Sequence, residues 1–251
     1  MRIFVINLEK STQRRADIEK NLGILDLDFD IITAIDGYAL SKNDKEEKTR
    51  SLSYALTAGE IGCALSHINI YRKIFEENIS AALILEDDAL VTPDIKLALP
   101  AVEHFLCVDK PYVILLTETS KIIKNKYRTL ESGHTLNRVL EAVSTRGYVI
   151  NYAAAKSMMS FLYPVWLVAD KWNLIYEYGV CDVMALTPQL ILKSEHEKNS
   201  TIQLYNGKES QVLRKEKDIV WKKIKNKRNI KTRVRMFKIK VINAFSRKAQ
   251  G

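Results

Sequence analysis

The sequence contains few cysteines, and they are too far apart to suggest a disulfide framework. Cys63, Cys107 and Cys181 form no CxxC pair and no cysteine–histidine spacing of the kind that binds structural zinc. This pattern predicts a protein of a reducing compartment. The chain also lacks an apolar run of 18 residues, so we expect no transmembrane helix.

The first residues do not resemble a leader peptide. Residues 1–8 lead directly into a strand pattern, and their apolar run is too short for a signal sequence, which predicts a protein that stays in the cytoplasm. The 251 residues are 47% hydrophobic and 27% charged. This composition supplies one sizeable core and predicts one domain with an appendage.

The formal net charge of +9 is unevenly distributed. Residues 208–251 contain 16 lysines and arginines against 3 acids, whereas residues 1–207 contain 23 against 27. We therefore predict a domain over residues 1–207 and a basic helical tail over residues 208–251. The apolar residues of the tail recur at the three- and four-residue intervals of an amphipathic helix. They are Ile230, Val234, Phe237, Val241 and Phe245.

The sequence leaves three interpretations of the tail open: binding to an anionic membrane surface, docking on its own domain, and nucleic-acid binding. No nucleic-acid motif accompanies the charge, so we expect no nucleic-acid partner. An anionic membrane surface is the expected partner of the tail.

Strand and helix patterns alternate along the body. They predict an α/β fold with a mixed, mostly parallel central sheet flanked by helices. Strands are expected at residues 3–8, 29–35, 81–85, 112–116 and 147–150, and helices at residues 11–22, 57–75, 153–162 and from residue 94 onward. Thr57 and Glu60 have the spacing of a capping box at the start of the second of these helices. The polar residues 41–53 predict a mobile loop.

Three adjacent acids follow the most apolar of these strands. Residues 81–85 run directly into Glu86, Asp87 and Asp88, at the carboxyl end of a predicted buried strand, where open α/β sheets bind ligands. Like charges so close repel one another unless a cation neutralises them, and Mg²⁺ and Mn²⁺ prefer carboxylate oxygens. The triplet predicts a divalent metal that carries a diphosphate, and an acidic turn is the alternative.

Four segments resemble glycosyltransferase family 25 in order and spacing. They are residues 6–11 followed by Arg14 and Arg15, residues 34–37, residues 59–67 and residues 83–88. The resemblance covers roughly residues 1–205, and the run Gly-Glu-Ile-Gly-Cys-Ala-Leu-Ser-His is its most specific part. It implies a GT-A fold, a nucleotide-sugar donor that is usually UDP-galactose, and an inverting transfer. This family contains bacterial lipopolysaccharide and lipooligosaccharide galactosyltransferases.

The resemblance also implies roles for individual residues. Asp88 and Glu86 are the expected ligands of Mn²⁺ or Mg²⁺, with Glu86 also a candidate for the ribose. The residues expected to bind the donor are Asn7, Leu8, Arg14, Arg15, Asp36, Gly37, Glu60, Ser66, His67, Glu86 and Asp87. Alternatives from the residues themselves are a solvated helix arginine for Arg15, an Asx turn for Asp36, and a structural role for His67.

An inverting transfer needs a base that accepts the proton of the acceptor hydroxyl. The candidates are Asp170 and Asp182, and Asp170 is preferred because its surroundings resemble a proline- and aromatic-containing segment of the family. Trp166 and Trp172 flank Asp170 and are expected either to stack on a sugar or to pack in the core. His196 is a candidate for a further metal ligand.

Together these inferences predict an inverting, metal-dependent hexosyltransferase that moves galactose onto a bacterial lipooligosaccharide or lipopolysaccharide acceptor. The expected partners are a UDP-sugar donor and a lipid-linked oligosaccharide acceptor, and the expected location is cytoplasmic and peripheral, on the inner face of the bacterial inner membrane. Two other classes remain open. One is a metal-dependent nucleotide-sugar phosphohydrolase, and the other is an inactive GT-A domain that binds a membrane or a partner.

Overall fold

A ten-stranded sheet forms the centre of the molecule in a computed structural model that describes residues 1–123, 127–194, 208–243 and 246–248. The strands are β1 (Arg2–Asn7), β2 (Asp30–Thr33), β3 (Ala81–Glu86), β4 (Ala89–Val91), β5 (Tyr112–Leu115), β6 (Lys121–Ile123), β7 (Arg128–Thr129), β8 (Thr135–Glu141), β9 (Gly147–Asn151), β10 (Asp182–Thr187), β11 (Ile191–Lys193) and β12 (Ser246–Lys248). The helices are α1 (Thr12–Ile24), α2 (Lys42–Lys48), α3 (Ala58–Glu76), α4 (Ile95–Leu106), α5 (Tyr152–Leu162), α6 (Trp172–Tyr178), α7 (Lys208–Asn226) and α8 (Ile230–Asn243).

The order of the main sheet is β12-β6-β8-β10-β5-β9-β3-β1-β2, with β7 paired to β8, while β4 and β11 form a separate pair. β1 is parallel to both β2 and β3, and β5 is parallel to β10. β9 lies between β3 and β5 and is antiparallel to both. The five strands β1, β2, β3, β5 and β10 therefore point the same way, which confirms the mixed, mostly parallel sheet. Their carboxyl ends share one edge with the amino end of β9.

The central strands are buried on both faces, because alternate residues of a strand point to opposite sides of a sheet. On one face, Phe4 and Ile84 contribute to a core beneath α3, α5 and α6. On the other face, Val5 and Leu83 contribute to a second core beneath α1 and α4. This two-faced burial explains why the strands read as continuous apolar runs.

The polar segment 41–53 is not only a loop, so that prediction was wrong in part. Residues Lys42–Lys48 form α2, which begins with a capping box between Ser41 and Asp44. The Nζ of Lys48 lies 3.1 Å from Asp44, one turn earlier. No residue of α2 is buried, so the helix lacks the apolar periodicity by which sequence reasoning detects helices.

The first helix of the tail packs on the body, which is one of the alternatives that the sequence left open. Ile224 of α7 is only 2% exposed and belongs to the core beneath α3. The Trp221 ring meets Tyr54 edge to face, with 5.9 Å between ring centroids. After α7, an Arg228 guanidinium nitrogen lies 2.6 Å from a carboxylate oxygen of Glu177 in α6.

The second helix of the tail presents the predicted apolar stripe to solvent. The side chains of Ile230, Val234, Phe237 and Val241 are exposed. Phe245 lies outside the described residues, as does the boundary predicted near residue 207. Within the described part of the chain, no helix combines the length and apolar character needed to cross a membrane.

We predict that Ile224→Ala lowers the free energy of unfolding by about 2–5 kcal/mol, the range for truncating a buried aliphatic side chain. Urea unfolding measures this change. Ile219→Ala is the matched control, because Ile219 lies in the same helix but is 54% exposed. Equal effects of the two substitutions would show that α7 does not contribute to the core.

Candidate active site

The ends of β1 and β3 bring the first candidate residues together. In the parallel pairing, Ile6 lies opposite Glu86, so Asn7 follows at the edge where the acidic triplet begins. The amino end of β9 reaches the same edge, with Gly147 opposite Leu85. The triplet therefore lies at the carboxyl end of a buried strand, as the sequence predicted, and two further chain segments reach it there.

Glu86 is the most internally connected acid of the triplet. Its Oε1 lies 3.2 Å from Nε2 of His67 and accepts a short hydrogen bond from the Thr145 hydroxyl. Burial alone would raise the pKa of Glu86, but the contacts with His67 and Thr145 and the charge of Arg146 outweigh it and lower the pKa. Glu86 is therefore held as a carboxylate inside the site.

Asp87 is paired with the residues that follow β1. Its Oδ2 accepts a hydrogen bond of 2.8 Å from Asn7, and its Oδ1 lies 3.1 Å from Arg14. Arg14 also donates to the Ser11 hydroxyl at 2.9 Å. Burial raises the pKa of Asp87 to about 6, although Arg14 and Asn7 oppose the shift. Asp87, Asn7 and Arg14 thus form one polar cluster that ties the triplet to the start of α1.

Of the three carboxylates, that of Asp88 has the fewest hydrogen-bond partners among the described residues. Its Oδ1 is buried and has no hydrogen-bond partner among the described residues, and Nε of Arg146 approaches it only to 3.4 Å. Burial and the charge of Glu86 raise the pKa of Asp88, while Arg146 opposes the rise. A buried oxygen with unused lone pairs, in a site that disfavours extra negative charge, fits a divalent metal that prefers oxygen ligands.

Helix α3 carries the most specific part of the family pattern. It begins with the predicted capping box, in which Thr57 accepts from the Glu60 backbone and Glu60 accepts from the Thr57 backbone. Further along, Cys63 and His67 face Glu86. One ligand atom from each of these three residues lies within 4.8 Å of the others, so the group is able to hold a metal ion.

Ser66 and Gly37 hold the connection that follows β2 against α3. The Ser66 hydroxyl donates to the Gly62 carbonyl and accepts from the Ile35 backbone, each at 2.8 Å. A Cβ on Gly37 would lie 1.8 Å from the Ala58 carbonyl oxygen, so only glycine permits this close approach of the β2 connection to α3.

Three donor-binding candidates lie near the protein surface. Asp36 pairs with Lys10 at 2.5 Å and accepts from the Tyr38 backbone at 3.0 Å, which is the Asx turn considered as its alternative. The Lys10 contact and the Tyr38 hydrogen bond lower the pKa of Asp36. Arg15 is half-exposed and pairs with Glu19 along α1.

Leu8 is the third of these donor-binding candidates, and its side chain is partly buried just after β1.

Asp170 belongs to the site electrostatically. Burial raises its pKa, and the charge of Glu86 adds to the rise, while Lys171 and Lys217 oppose it. Among the described residues the Asp170 carboxylate has no ion-pair partner. Asp170 is therefore a partly buried carboxylate with a raised pKa, and the charge of Glu86 contributes to that rise.

Asp182 lies at the opposite edge of the sheet. It begins β10, which is parallel to β5, and its carboxylate lies 2.5 Å from Lys110. The structure does not bring it together with the other candidates.

Trp166 and Trp172 are packing residues, the second of the two alternatives. Trp172 is fully buried and its indole donates to the Ser144 carbonyl at 2.8 Å. Trp166 is 6% exposed and donates to the Phe161 carbonyl at 2.8 Å. His196 lies outside the described residues.

Sequence reasoning missed four residues of the site. Thr145 and Arg146 precede β9, Tyr148 lies in β9, and Lys217 lies in α7, where it forms an ion pair with Glu60. Thr145 and Arg146 contact the triplet, and Tyr148 contacts His67, only because β9 inserts antiparallel beside β3. A polar run just before an apolar strand is the only local signal for them.

Comparison with known proteins agrees with the family pattern. The sequence model of glycosyltransferase family 25 (LPS biosynthesis protein) matches residues 1–172. A glycosyltransferase 25 family member of Anopheles gambiae is 36% identical over 102 residues, which cover 36% of this chain and 17% of that protein. Procollagen galactosyltransferase 1-B of Xenopus laevis is 35% identical over 95 residues, or 34% and 16% of the two chains.

A longer match is to a glycosyltransferase 25 family member of Drosophila melanogaster, 27% identical over 168 residues, which cover 63% of this chain and 28% of that protein. The chain thus spans less than a third of the length of these relatives. The inositol-1-phosphate CTP transferase of T. maritima is a distant structural match, with a TM-score of 0.35, 16% identity, and coverage of 85% of this chain and 75% of that one. Because the family model matches more than half of the sequence, the chain belongs to glycosyltransferase family 25.

Proposed function

We propose that this chain is an inverting glycosyltransferase that moves galactose from UDP-galactose onto a lipid-linked oligosaccharide of the bacterial lipopolysaccharide or lipooligosaccharide class. The observation that carries the proposal is the buried, unsatisfied oxygen of Asp88 at the carboxyl edge of the sheet. Family membership supports glycosyl transfer, and the galactosyltransferase names of relatives support the sugar. The description of the family model supports the acceptor class.

We assign Asp88 to hold Mn²⁺ or Mg²⁺, with Glu86 beside it. Such a cation, when bound, neutralises the charge that develops on the departing diphosphate. Neighbouring side chains orient the other two carboxylates of the triplet. Asn7 and Arg14 contact Asp87, and His67 and Thr145 contact Glu86. Asp88 is then the carboxylate left to face the donor.

We assign Asp170 as the base. The acceptor hydroxyl oxygen attacks the anomeric carbon, the bond from that carbon to the diphosphate oxygen breaks, and the hydroxyl proton passes to the Asp170 carboxylate. The raised pKa of Asp170 suits a base, because proton transfer is most effective when the pKa approaches the working pH.

A donor assay distinguishes this proposal from the two alternatives. UDP release from UDP-galactose should require both a divalent metal and a saccharide acceptor. Equal release without acceptor would indicate the phosphohydrolase, in which water is the nucleophile. Donor binding without any turnover would indicate an inactive binding module.

We further propose that α8 holds the enzyme on the inner face of the bacterial inner membrane. Its exposed stripe of Ile230, Val234, Phe237 and Val241 is accompanied by exposed basic residues. Those described on α8 are Lys231, Arg233, Arg235 and Lys238. An apolar stripe with surrounding positive charge is suited to an anionic leaflet, where each basic residue contributes about 1 kcal/mol.

We predict that Phe237→Glu reduces binding to anionic vesicles about 10-fold or more while turnover on a short soluble acceptor is unchanged. Burying a phenylalanine contributes about 1.5–3 kcal/mol, and about 1.4 kcal/mol corresponds to a factor of ten in affinity. Vesicle sedimentation at low and high salt measures the binding. Ile24→Glu is the control, because Ile24 is also exposed but lies at the end of α1. Unchanged vesicle binding by Phe237→Glu would exclude α8 as the contact.

A further inference from the structure

The geometry points to a second cation site, formed by Cys63, His67 and Glu86, that takes a thiophilic divalent cation of the Zn²⁺ type. The sulfur of Cys63, a ring nitrogen of His67 and a Glu86 carboxylate oxygen lie within 4.8 Å of one another, and Nε2 of His67 lies 3.2 Å from Glu86. Donor atoms around tetrahedral zinc lie about 3.3–3.8 Å apart, given bond lengths of about 2.0–2.3 Å. To bind zinc, the ligand atoms of the three side chains therefore need to approach one another by only about 1 Å.

The donor set selects the class of cation. Thiolate sulfur and imidazole nitrogen suit Zn²⁺ and Co²⁺, whereas Mg²⁺ and Mn²⁺ prefer oxygen. One thiolate and one carboxylate also balance the charge of a divalent ion, and the thiol proton leaves to solvent on binding. This site thus differs in chemistry from the oxygen site at Asp88.

Two rigid elements already hold the ligands in place. Cys63 and His67 are one turn apart on α3, and Glu86 ends β3. His67 Nδ1 lies 2.8 Å from the Tyr148 hydroxyl, which in turn lies 2.7 Å from the Tyr71 hydroxyl. When Nδ1 donates to Tyr148, the lone pair of Nε2 is left on the side of Glu86. Outer contacts of this kind are what orient metal-bound histidines.

The charges around Cys63 are mostly negative. Glu86, Asp170, Glu60 and Asp88 all contribute negative potential at its sulfur. A negative potential at this position attracts a cation. The positive groups nearby are engaged elsewhere: Arg146 faces Asp88, and Lys217 pairs with Glu60, while Lys171 lies over the Tyr54 ring.

Cobalt provides a readout that does not require turnover, because Co²⁺ bound to thiolate absorbs in the near ultraviolet. The full chain carrying Cys107→Ser, which removes the exposed cysteine, should bind one Co²⁺ with this absorption. Cys63→Ser should abolish the band, and Cys181→Ser, at a buried cysteine outside the site, should keep it. Absence of the band, or a band that survives Cys63→Ser, would overturn the proposal.

A second pair of variants tests the histidine contact. Tyr148→Phe should weaken Co²⁺ binding by about 10- to 100-fold, the usual cost of losing an outer hydrogen bond to a ligand. Tyr71→Phe is its control, because it leaves the Tyr148 hydroxyl available to His67. Equal binding by both variants would argue against His67 as a ligand.

Alkylation of the wild-type chain covers the case in which a variant fails to fold. Zn²⁺ should protect Cys63 from iodoacetamide, as read by mass spectrometry, and Mg²⁺ should not. Equal labelling with and without Zn²⁺ would overturn the site. The inference shares Glu86 with the proposed function but does not depend on it: Asp88→Asn should leave the cobalt band intact, and loss of the band in that variant would mean that only one metal site exists.

Discussion

Asp88→Asn should reduce turnover by about 10²-fold or more while leaving the fold intact. Metal-assisted stabilisation of a leaving group contributes several kcal/mol, and each 1.36 kcal/mol is about a factor of ten in rate. The substitution removes a carboxylate whose ionised form is disfavoured by burial and by Glu86, so it should not lower the unfolding midpoint. Initial rates with saturating Mn²⁺, beside thermal unfolding, measure both effects.

Two comparisons isolate the role of Asp88. Asp109→Asn makes the same chemical change at an exposed position before β5 and should leave the rate unchanged. Asp87→Asn changes the neighbouring carboxylate, which is already paired with Asn7 and Arg14, and should reduce turnover less than Asp88→Asn does. Near-normal turnover of Asp88→Asn in Mn²⁺, or a wild-type rate that EDTA does not change, would contradict the assignment.

The sequence predicted the part of the site that local patterns encode. The apolar run ending in Glu86 located a strand and its acidic edge, and the Thr57–Glu60 pair located the start of α3. Both features depend on residues close in sequence, where hydrophobic periodicity and capping are informative. The alternation of strands and helices predicted the α/β class and the mostly parallel sheet, but not the order of the strands within it.

Two partners of the triplet, Thr145 and Arg146, were not predictable, because they come from a distant segment. Arg146 and Thr145 contact the triplet because β9 pairs antiparallel with β3. No local sequence pattern predicts that β9 inserts between β3 and β5. Nor does composition distinguish a basic helix that packs into the core from one that keeps its apolar stripe exposed. In α7 a few side chains, such as Ile224 and Trp221, pack against the body.

Asp170→Asn should lower kcat by about 10²–10⁴-fold while leaving the affinity for UDP nearly unchanged. An amide cannot accept the hydroxyl proton, but it preserves the size of the side chain. Because burial and Glu86 raise the pKa of Asp170, the wild-type rate should fall on the acid side as this carboxylate becomes protonated. The variant should lack that acid limb.

Asp182→Asn is the matched control, since Asp182 was the other sequence candidate but begins β10 at the far edge, beside Lys110. It should retain the wild-type kcat and pH profile. Calorimetric titration with UDP and Mn²⁺ separates catalysis from binding in both variants. Loss of UDP binding in Asp170→Asn would place Asp170 in the nucleotide site. An undiminished kcat in Asp170→Asn would show that Asp170 is not the base. A large loss in Asp182→Asn would require the acceptor to reach the far edge of the sheet, where the acidic triplet is absent.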